Sequence, residues 1–195
     1  KAALLAAKEN SDLPVLVSNA YGEDGKLMTG ATPAAMVAML EGMGADAVGA
    51  NCSLGPKQLR GVAEELLQYA SVPVLLKPNA GLPRAVDGKT VFDVMPEEFA
   101  AELEALMKKG LRVVGGCCGT TPEHIRALTQ ACADLNVPEM IVRDKRVLCS
   151  ERQTVMFGLD DPFMVIGERI NPTGKKAFQA SVREGSMEMV CDFVS

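Results

Sequence analysis

The sequence predicts an α/β fold with a parallel sheet, because four short apolar runs alternate with segments of helical periodicity. The runs occupy residues 15–18, 47–50, 74–77 and 113–116. Each run is continuous rather than alternating, which is typical of strands that are covered on both faces. Four successive strand-then-helix units favour parallel strands that are joined by right-handed crossovers.

Apolar residues at helical spacing follow each of the four runs. The first set lies behind Thr32-Pro33, which predicts an N-cap with proline at the first helical position. The second lies behind Gly55-Pro56, the third begins near Pro96, and the fourth lies behind Thr121-Pro122. We interpret the methionines on these faces as core residues. They are Met36, Met39, Met43 and Met107.

Composition and charge limit the classes of function. The chain has 195 residues, 48% of them apolar, so it is long enough to bury a core. Its formal net charge is −5 and it contains no basic block, which argues against a nucleic-acid partner. No apolar run is long enough to cross a membrane and no secretory signal is present, so we expect no membrane partner and a cytoplasmic protein.

The cysteines are the most informative residues of the chain. Cys52 follows the second apolar run, and the adjacent pair Cys117-Cys118 follows the fourth. Three thiolates at strand ends can hold a zinc ion while its fourth position stays open, which is typical of a catalytic site. We interpret Cys132, Cys149 and Cys191 as structural.

Polar residues at the strand ends decide between an open sheet and a barrel. Asn51, Cys52, Asn79 and the Cys117-Cys118 pair all come just after predicted strands, where the active sites of barrel enzymes lie. Three strands must converge on one metal, and the end of a barrel brings them together more easily than a flat sheet does. His124, the single histidine, is interpreted as a first-turn helix residue rather than a ligand.

Four motifs together resemble a known family. Gly-Ala-Asn-Cys at 49–52, Lys-Pro-Asn-Ala-Gly at 77–81 and Gly-Gly-Cys-Cys-Gly-Thr at 115–120 resemble the sixth, seventh and eighth strand ends of the homocysteine S-methyltransferase domain. The segment 163–174 resembles the first strand and loop of the pterin-binding barrel that follows this domain in cobalamin-dependent methionine synthases.

The resemblance implies a domain organisation. Residues 1–135 would be the C-terminal half of a (β/α)8 TIM barrel with four βα units, 136–161 an interdomain connection, and 162–195 the beginning of a pterin-binding barrel. We therefore expect an internal piece of a larger enzyme, inactive alone because the first-strand substrate contacts are missing. Half a barrel leaves two unpaired strand edges, which predicts self-association through those edges or pairing with the other half.

The resemblance also implies a chemistry. Cys52, Cys117 and Cys118 would hold zinc, and homocysteine would accept a methyl group from a methylcorrinoid on a separate cobalamin-carrying domain, giving methionine. Asn79 matches a position that can occupy the fourth metal site when substrate is absent; equally, it could only satisfy a turn after Pro78. Asn171 and Glu168 would contribute to binding methyltetrahydrofolate, with a simple Asn-Pro turn as the alternative.

The metal explains why a thiol would be the methyl acceptor. A free thiol has a pKa of about 8.5 and is mostly protonated at neutral pH, whereas coordination to zinc deprotonates it. Two other readings remain open: a pterin-dependent synthase with an accessory barrel, and a noncatalytic structural zinc module. The sequence also leaves open whether a corrinoid or a sulfonium compound donates the methyl group.

Overall fold

The chain divides into two compact units, Lys1–Gly158 and Leu159–Ser195. The structure is a computed structural model, and it describes residues 1–142, 146–165 and 170–194. Among these residues, no helix is both long and apolar enough to cross a membrane.

A four-stranded parallel sheet forms the centre of the first unit. Its order is β1-β2-β3-β6, with β1 at Leu16–Asn19, β2 at Ala47–Asn51, β3 at Val74–Lys77 and β6 at Val113–Val114. All three pairings are parallel, as the sequence predicts. The fourth strand is shorter than predicted, because only Val113 and Val114 pair with β3 before the chain turns through two glycines.

In the described part of the first unit, five helices accompany the sheet. They are α1 (Ala2–Asn10), α2 (Pro33–Gly42), α3 (Arg60–Tyr69), α4 (Pro96–Met107) and α5 (Pro122–Cys132). The predicted caps are present: the Thr32 hydroxyl oxygen accepts a hydrogen bond from the Ala35 N–H at 3.2 Å, and proline begins α2, α4 and α5. Helix α3 begins later than its Gly55-Pro56 signal, because a turn intervenes.

The core lies between the sheet and these helices. Val48 and Ala50 of β2, with Val74 and Leu76 of β3, belong to the buried cluster that the helices complete. Side chains alternate between the two faces of a strand, so Gly49, Leu75 and Lys77 lie on the opposite face. The predicted core methionines pack in or against the helix-side cluster.

Residues 82–93 contain a hairpin that the sequence reading missed. Strands β4 (Arg84–Val86) and β5 (Lys89–Val91) are antiparallel and exposed. Asp87 and Gly88 connect them with φ of 50° and 73°. An Asp-Gly pair is the usual signal for such a two-residue turn, so this element was detectable.

A second hairpin occupies the segment expected to be only a connection. Strands β7 (Arg146–Cys149) and β8 (Thr154–Phe157) pair antiparallel, and both contact α2. The Arg152 side chain lies against Gly30, with its Cδ 3.6 Å from where a Cβ would sit. The runs are too short for alternation to identify them, and packing on α2 stabilises the pair.

The second unit contains α6 (Lys176–Arg183) and α7 (Glu188–Val194). Phe178 is buried and meets Phe193 edge to face with ring centroids 5.0 Å apart. The strand expected near residue 163 is not seen at 162–165, and residues 166–169, including Glu168, lie outside the described residues.

Candidate metal centre

Cys52 lies directly after β2, in a sharp turn at the carboxyl end of the sheet. Its φ is 58°, a left-handed conformation that non-glycine residues seldom adopt. The Cys52 N–H donates to the Lys77 carbonyl oxygen at 3.0 Å, which joins the ends of β2 and β3. The turn that starts here directs the chain away from the sheet and leaves the thiol at the strand end.

Cys117 and Cys118 lie beyond β6 and are fixed by the loop that follows β3. The Cys117 N–H donates to the Pro78 carbonyl oxygen at 2.8 Å, and the Ala80 N–H donates to the Cys118 carbonyl oxygen at 2.9 Å. These backbone bonds connect neighbouring strand ends, so the position of the cysteine pair depends on tertiary structure rather than on its own local sequence.

Two glycines beside the cysteine pair are required by close contacts. A Cβ on Gly116 would overlap the Thr120 side chain, and a Cβ on Gly119 would overlap the Phe92 ring. Gly119 also has a φ of 77°, which other residues rarely adopt. The Gly-Cys-Cys-Gly pattern therefore reflects space that Thr120 and Phe92 already occupy.

The fold brings the three predicted thiols together. The Sγ atoms of Cys52 and Cys118 are 3.8 Å apart, and those of Cys117 and Cys118 are 4.0 Å apart. All three sulfur atoms lie within 4.8 Å of one another, and all three cysteines are free. A tetrahedral zinc ion with Zn–S bonds of about 2.3 Å separates its sulfur ligands by about 3.8 Å, so the trio fits this ion.

The three thiols have different electrostatic surroundings. The Ser53 backbone N–H and hydrogen bonding from Cys117 hold the pKa of the Cys52 thiol below its usual value. Burial, followed by hydrogen bonding to Cys52, raises the pKa of the Cys117 thiol. Cys52 is therefore the better thiolate of the two, with Cys117 as its hydrogen-bond donor.

Asn79 is buried beneath the cysteine cluster, with 4% of its surface exposed. Its Oδ1 accepts a hydrogen bond from the Cys118 N–H at 3.1 Å. Its side chain also hydrogen-bonds Cys52 and contributes to the lowered pKa of that thiol. The amide thus interacts with Cys52 on one side of the cluster and with Cys118 on the other. That Asn79 can occupy the fourth metal position stays a prediction.

The hydrogen-bond partners of His124 lie outside the thiol cluster. This agrees with its predicted place in the first turn of a helix. Its Nδ1 accepts from the Thr121 N–H at 3.2 Å in a capping box, and Nε2 lies 2.9 Å from the Val94 carbonyl oxygen, so Nε2 carries the proton. The ring also meets Phe99 edge to face with centroids 5.4 Å apart. Both nitrogens are occupied by structural bonds.

The remaining cysteines differ from one another. Cys132 packs against the core, with its Sγ 3.1 Å from the Met107 Sδ, and this agrees with a structural role. Cys149 and Cys191 are exposed, so the argument from buried packing does not extend to these two, and their structural role stays a prediction. Cys149 lies on β7, which pairs with β8 in a two-stranded hairpin.

The candidate folate residues lie in the second unit. Asn171 accepts a hydrogen bond at Oδ1 from the Thr173 N–H at 2.9 Å, the turn that was its alternative interpretation. Its role toward a pterin stays a prediction, as does that of Glu168.

Lys77 is the residue that the sequence reading passed over. It ends the predicted strand at 74–77 and begins the motif at 77–81, and its exposed side chain lies against Gly115, with Cγ 3.4 Å from where a Cβ would sit. Its position just before Pro78 and Asn79 is the signal that could have identified it.

The fold and the thiol cluster define an α/β protein with a candidate metal centre at the carboxyl ends of its parallel strands. The family model for homocysteine S-methyltransferase matches residues 1–132. The chain belongs to the homocysteine S-methyltransferase family.

Relatives and solved structures agree with this family. Methionine synthase of Mycobacterium tuberculosis is 33% identical over 188 residues, covering 93% of this chain and 16% of that protein. Methionine synthase of Mycobacterium leprae is 33% identical over 193 residues, with the same coverage of 93% and 16%. This chain thus spans about one sixth of the length of these relatives.

The apo form of the homocysteine methyltransferase MmuM from Escherichia coli shares the fold, with a TM-score of 0.54, 24% identity, and coverage of 67% of this chain and 44% of that chain. The metallated form gives a TM-score of 0.51 at 26% identity, covering 66% and 38%.

Proposed function

We propose that this chain is part of a zinc-dependent methyltransferase that uses homocysteine as methyl acceptor and forms methionine. The observation that carries this proposal is the sulfur geometry. The Cys118 Sγ lies 3.8 Å from the Cys52 Sγ and 4.0 Å from the Cys117 Sγ, as zinc ligands would. Membership of the homocysteine S-methyltransferase family supports the choice of substrate.

The donor set supports a catalytic rather than a structural metal. Within the described ranges, no histidine or carboxylate joins Cys52, Cys117 and Cys118 to close the fourth position. Cys118 is exposed, so a substrate thiol has access to the cluster. When bound, zinc supplies the acidity that keeps a substrate thiol in its nucleophilic thiolate form.

The protein's own residues have defined tasks in this proposal. Cys52, Cys117 and Cys118 would hold the ion, and because three thiolate charges exceed the charge of the cation, a substrate sulfur beside them would keep its electron density. Asn79 orients Cys52 and Cys118 through its side-chain hydrogen bonds, and occupying the metal's fourth position without substrate would be its second task.

The methyl donor and folate belong to the wider enzyme. The resemblance of the sequence motifs to cobalamin-dependent methionine synthases supports a methylcorrinoid on a separate cobalamin-carrying domain as the donor, and the curated relatives are methionine synthases. Residues 162–195 would begin the pterin-binding barrel, with Glu168 and Asn171 contributing to a methyltetrahydrofolate site. Residues 136–161 would connect the two domains, and the β7–β8 hairpin would attach this connection to α2.

The parallel sheet has two strand edges that a barrel would close. β1 and β6 are its edges, and Leu16 and Val113 on these edges are 53% and 38% exposed. We propose that residues 1–135 are the C-terminal half of a (β/α)8 barrel, completed by further strands or by a second copy. Sedimentation of the purified chain tests this: a monodisperse, well-folded monomer contradicts it.

X-ray absorption at the zinc edge tests the function. We expect three sulfur neighbours in the zinc-loaded protein and four after homocysteine is added. Cys117→Ser should lower the sulfur count and weaken zinc binding, whereas Cys132→Ser, the matched control, should change neither. An unchanged sulfur count on adding homocysteine supports a noncatalytic structural zinc module instead, and retained function without metal supports a pterin-dependent synthase.

A further inference from the structure

Phe92 lies at the base of the β4–β5 hairpin, directly after β5. Its ring lies against Gly119, the residue that follows Cys118, because a Cβ on that glycine would overlap the ring. The Phe92 side chain is half-buried, yet among the described residues it belongs neither to the core cluster nor to the hydrophobic residues packed against that cluster. The ring therefore packs on the cysteine loop rather than on the core.

The cysteine pair lies in a tight turn whose third position is Gly119. The Thr120 N–H donates to the Cys117 carbonyl oxygen at 3.2 Å, which closes a four-residue turn over 117–120. The φ of 77° at Gly119 is the value that the third residue of a type II turn requires. The first two residues of this turn carry the two thiols, so the conformation of the turn sets where these thiols lie.

The backbone just after Phe92 is bonded to the neighbouring loops. The Val94 N–H donates to the Ala80 carbonyl oxygen at 3.0 Å, and the Ala80 N–H donates to the Cys118 carbonyl oxygen at 2.9 Å. The Val94 carbonyl oxygen also accepts from the His124 ring at 2.9 Å. The base of the hairpin is thus fixed to the cysteine turn, although β4 and β5 themselves are exposed.

We propose that Phe92 is a positioning residue of the metal centre. Its ring fills the space beside Gly119 and holds the cysteine pair at the distance from Cys52 at which all three thiols can share one ion. This inference rests on the proposed function, because it assumes that the cluster binds zinc. Without the ring, the glycine turn has more conformational freedom in the metal-free protein, and metal binding has to restrict that freedom. The loss therefore appears in zinc affinity.

The zinc affinity of a small set of variants tests the inference. Competition with a chelator measures this affinity, and the absorption bands of the cobalt(II)-loaded protein report the geometry of the thiolate ligands. We expect Phe92→Ala to lower zinc affinity about 10-fold to 100-fold and to shift the cobalt bands. Phe92→Tyr keeps the ring and should restore both properties. Tyr69→Ala, the control, removes a half-buried ring that packs on the core at the end of α3, and should lower stability without changing zinc affinity.

A double-mutant cycle shows whether the ring acts through Gly119. Gly119→Ala places a Cβ where the ring lies and should weaken zinc binding in the wild-type background. The backbone strain of alanine at this φ is present in both backgrounds, but the overlap is absent once Phe92 is replaced by alanine. The same substitution should therefore cost less affinity in the Phe92→Ala background. Additive losses would show that the two residues act independently and would overturn the assignment.

The outcomes separate this inference from the proposed function. If the wild type binds zinc through three sulfur atoms and Phe92→Ala binds it equally well, the role of Phe92 is overturned and the zinc centre stands. If the wild type binds no zinc at the cysteines, both proposals fail. Phe92→Leu replaces Phe92→Ala if urea unfolding shows that the alanine variant has lost its fold, and wild-type zinc affinity in that variant overturns the assignment in the same way.

Discussion

The side-chain oxygen of Asn79 accepts a hydrogen bond from the backbone N–H of Cys118 at 3.1 Å. The two residues come from loops after different strands and are 39 positions apart in the sequence. The same amide also helps to lower the pKa of the Cys52 thiol, so one buried side chain interacts with residues on both sides of the cluster.

Replacing Asn79 should therefore weaken metal binding. We expect Asn79→Ala to lower zinc affinity about 10-fold to 100-fold, the usual effect of losing a group that orients metal ligands. Competition with a chromophoric chelator measures this. Asn79→Asp keeps the acceptor for the Cys118 N–H and should lose less. Equal zinc affinity in wild type and Asn79→Ala would show that the amide does not position the thiols.

Gly116 and Gly61 form a matched pair of glycine-to-alanine substitutions. A Cβ at Gly116 overlaps Thr120, so Gly116→Ala should displace the cysteine loop and reduce zinc binding. A Cβ at Gly61, within α3, meets nothing within 4 Å, and Gly61→Ala should raise unfolding free energy by about 0.5–1 kcal/mol. Zinc titration and urea unfolding of both variants check this. Normal zinc binding by Gly116→Ala contradicts the contact argument.

His124 should matter for stability and not for metal. His124→Ala removes the capping-box bond with Thr121 and the bond to the Val94 carbonyl oxygen. We expect a loss of about 1–2 kcal/mol in unfolding free energy with zinc stoichiometry unchanged. Thr121→Ala, which breaks the same cap, should show a similar loss. A drop in zinc content caused by His124→Ala alone would identify the histidine as a ligand.

Asp46 should give the attachment of α1 a pH dependence. Hydrogen bonds from the Lys8 ammonium and from the Val15 N–H hold the pKa of this carboxyl below its usual value. A carboxyl with a lowered folded-state pKa stabilises the protein above its unfolded pKa of about 3.9 and loses this contribution as pH falls further.

The difference in unfolding free energy between wild type and Asp46→Asn should thus be largest near neutral pH and shrink below about pH 4. Urea unfolding at several pH values measures it. Asp12→Asn, an exposed substitution in the same α1–β1 connection, is the control and should show no such trend. A difference that is independent of pH would contradict the role of the charge.

Local patterns identified the elements that have strong local signals. The N-cap at Thr32 and the prolines at 96 and 122 marked helix starts correctly, because capping and proline geometry depend on neighbours in the chain. The β4–β5 hairpin was missed although Asp87-Gly88 signals it. The β7–β8 hairpin was missed because its stability comes from packing on α2 rather than from its own short strands.

The amino-acid sequence alone determined the four parallel strands, the helices that follow them and the three cysteines at strand ends, since periodicity and turn residues act over a few neighbours. Only the tertiary structure decided that Cys52 and Cys118, 66 residues apart, lie 3.8 Å from each other, and that Lys77 lies along Gly115. The physical reason is strand register: it depends on pairing across the sheet, and a one-residue slip would turn every side chain of β3 to the other face.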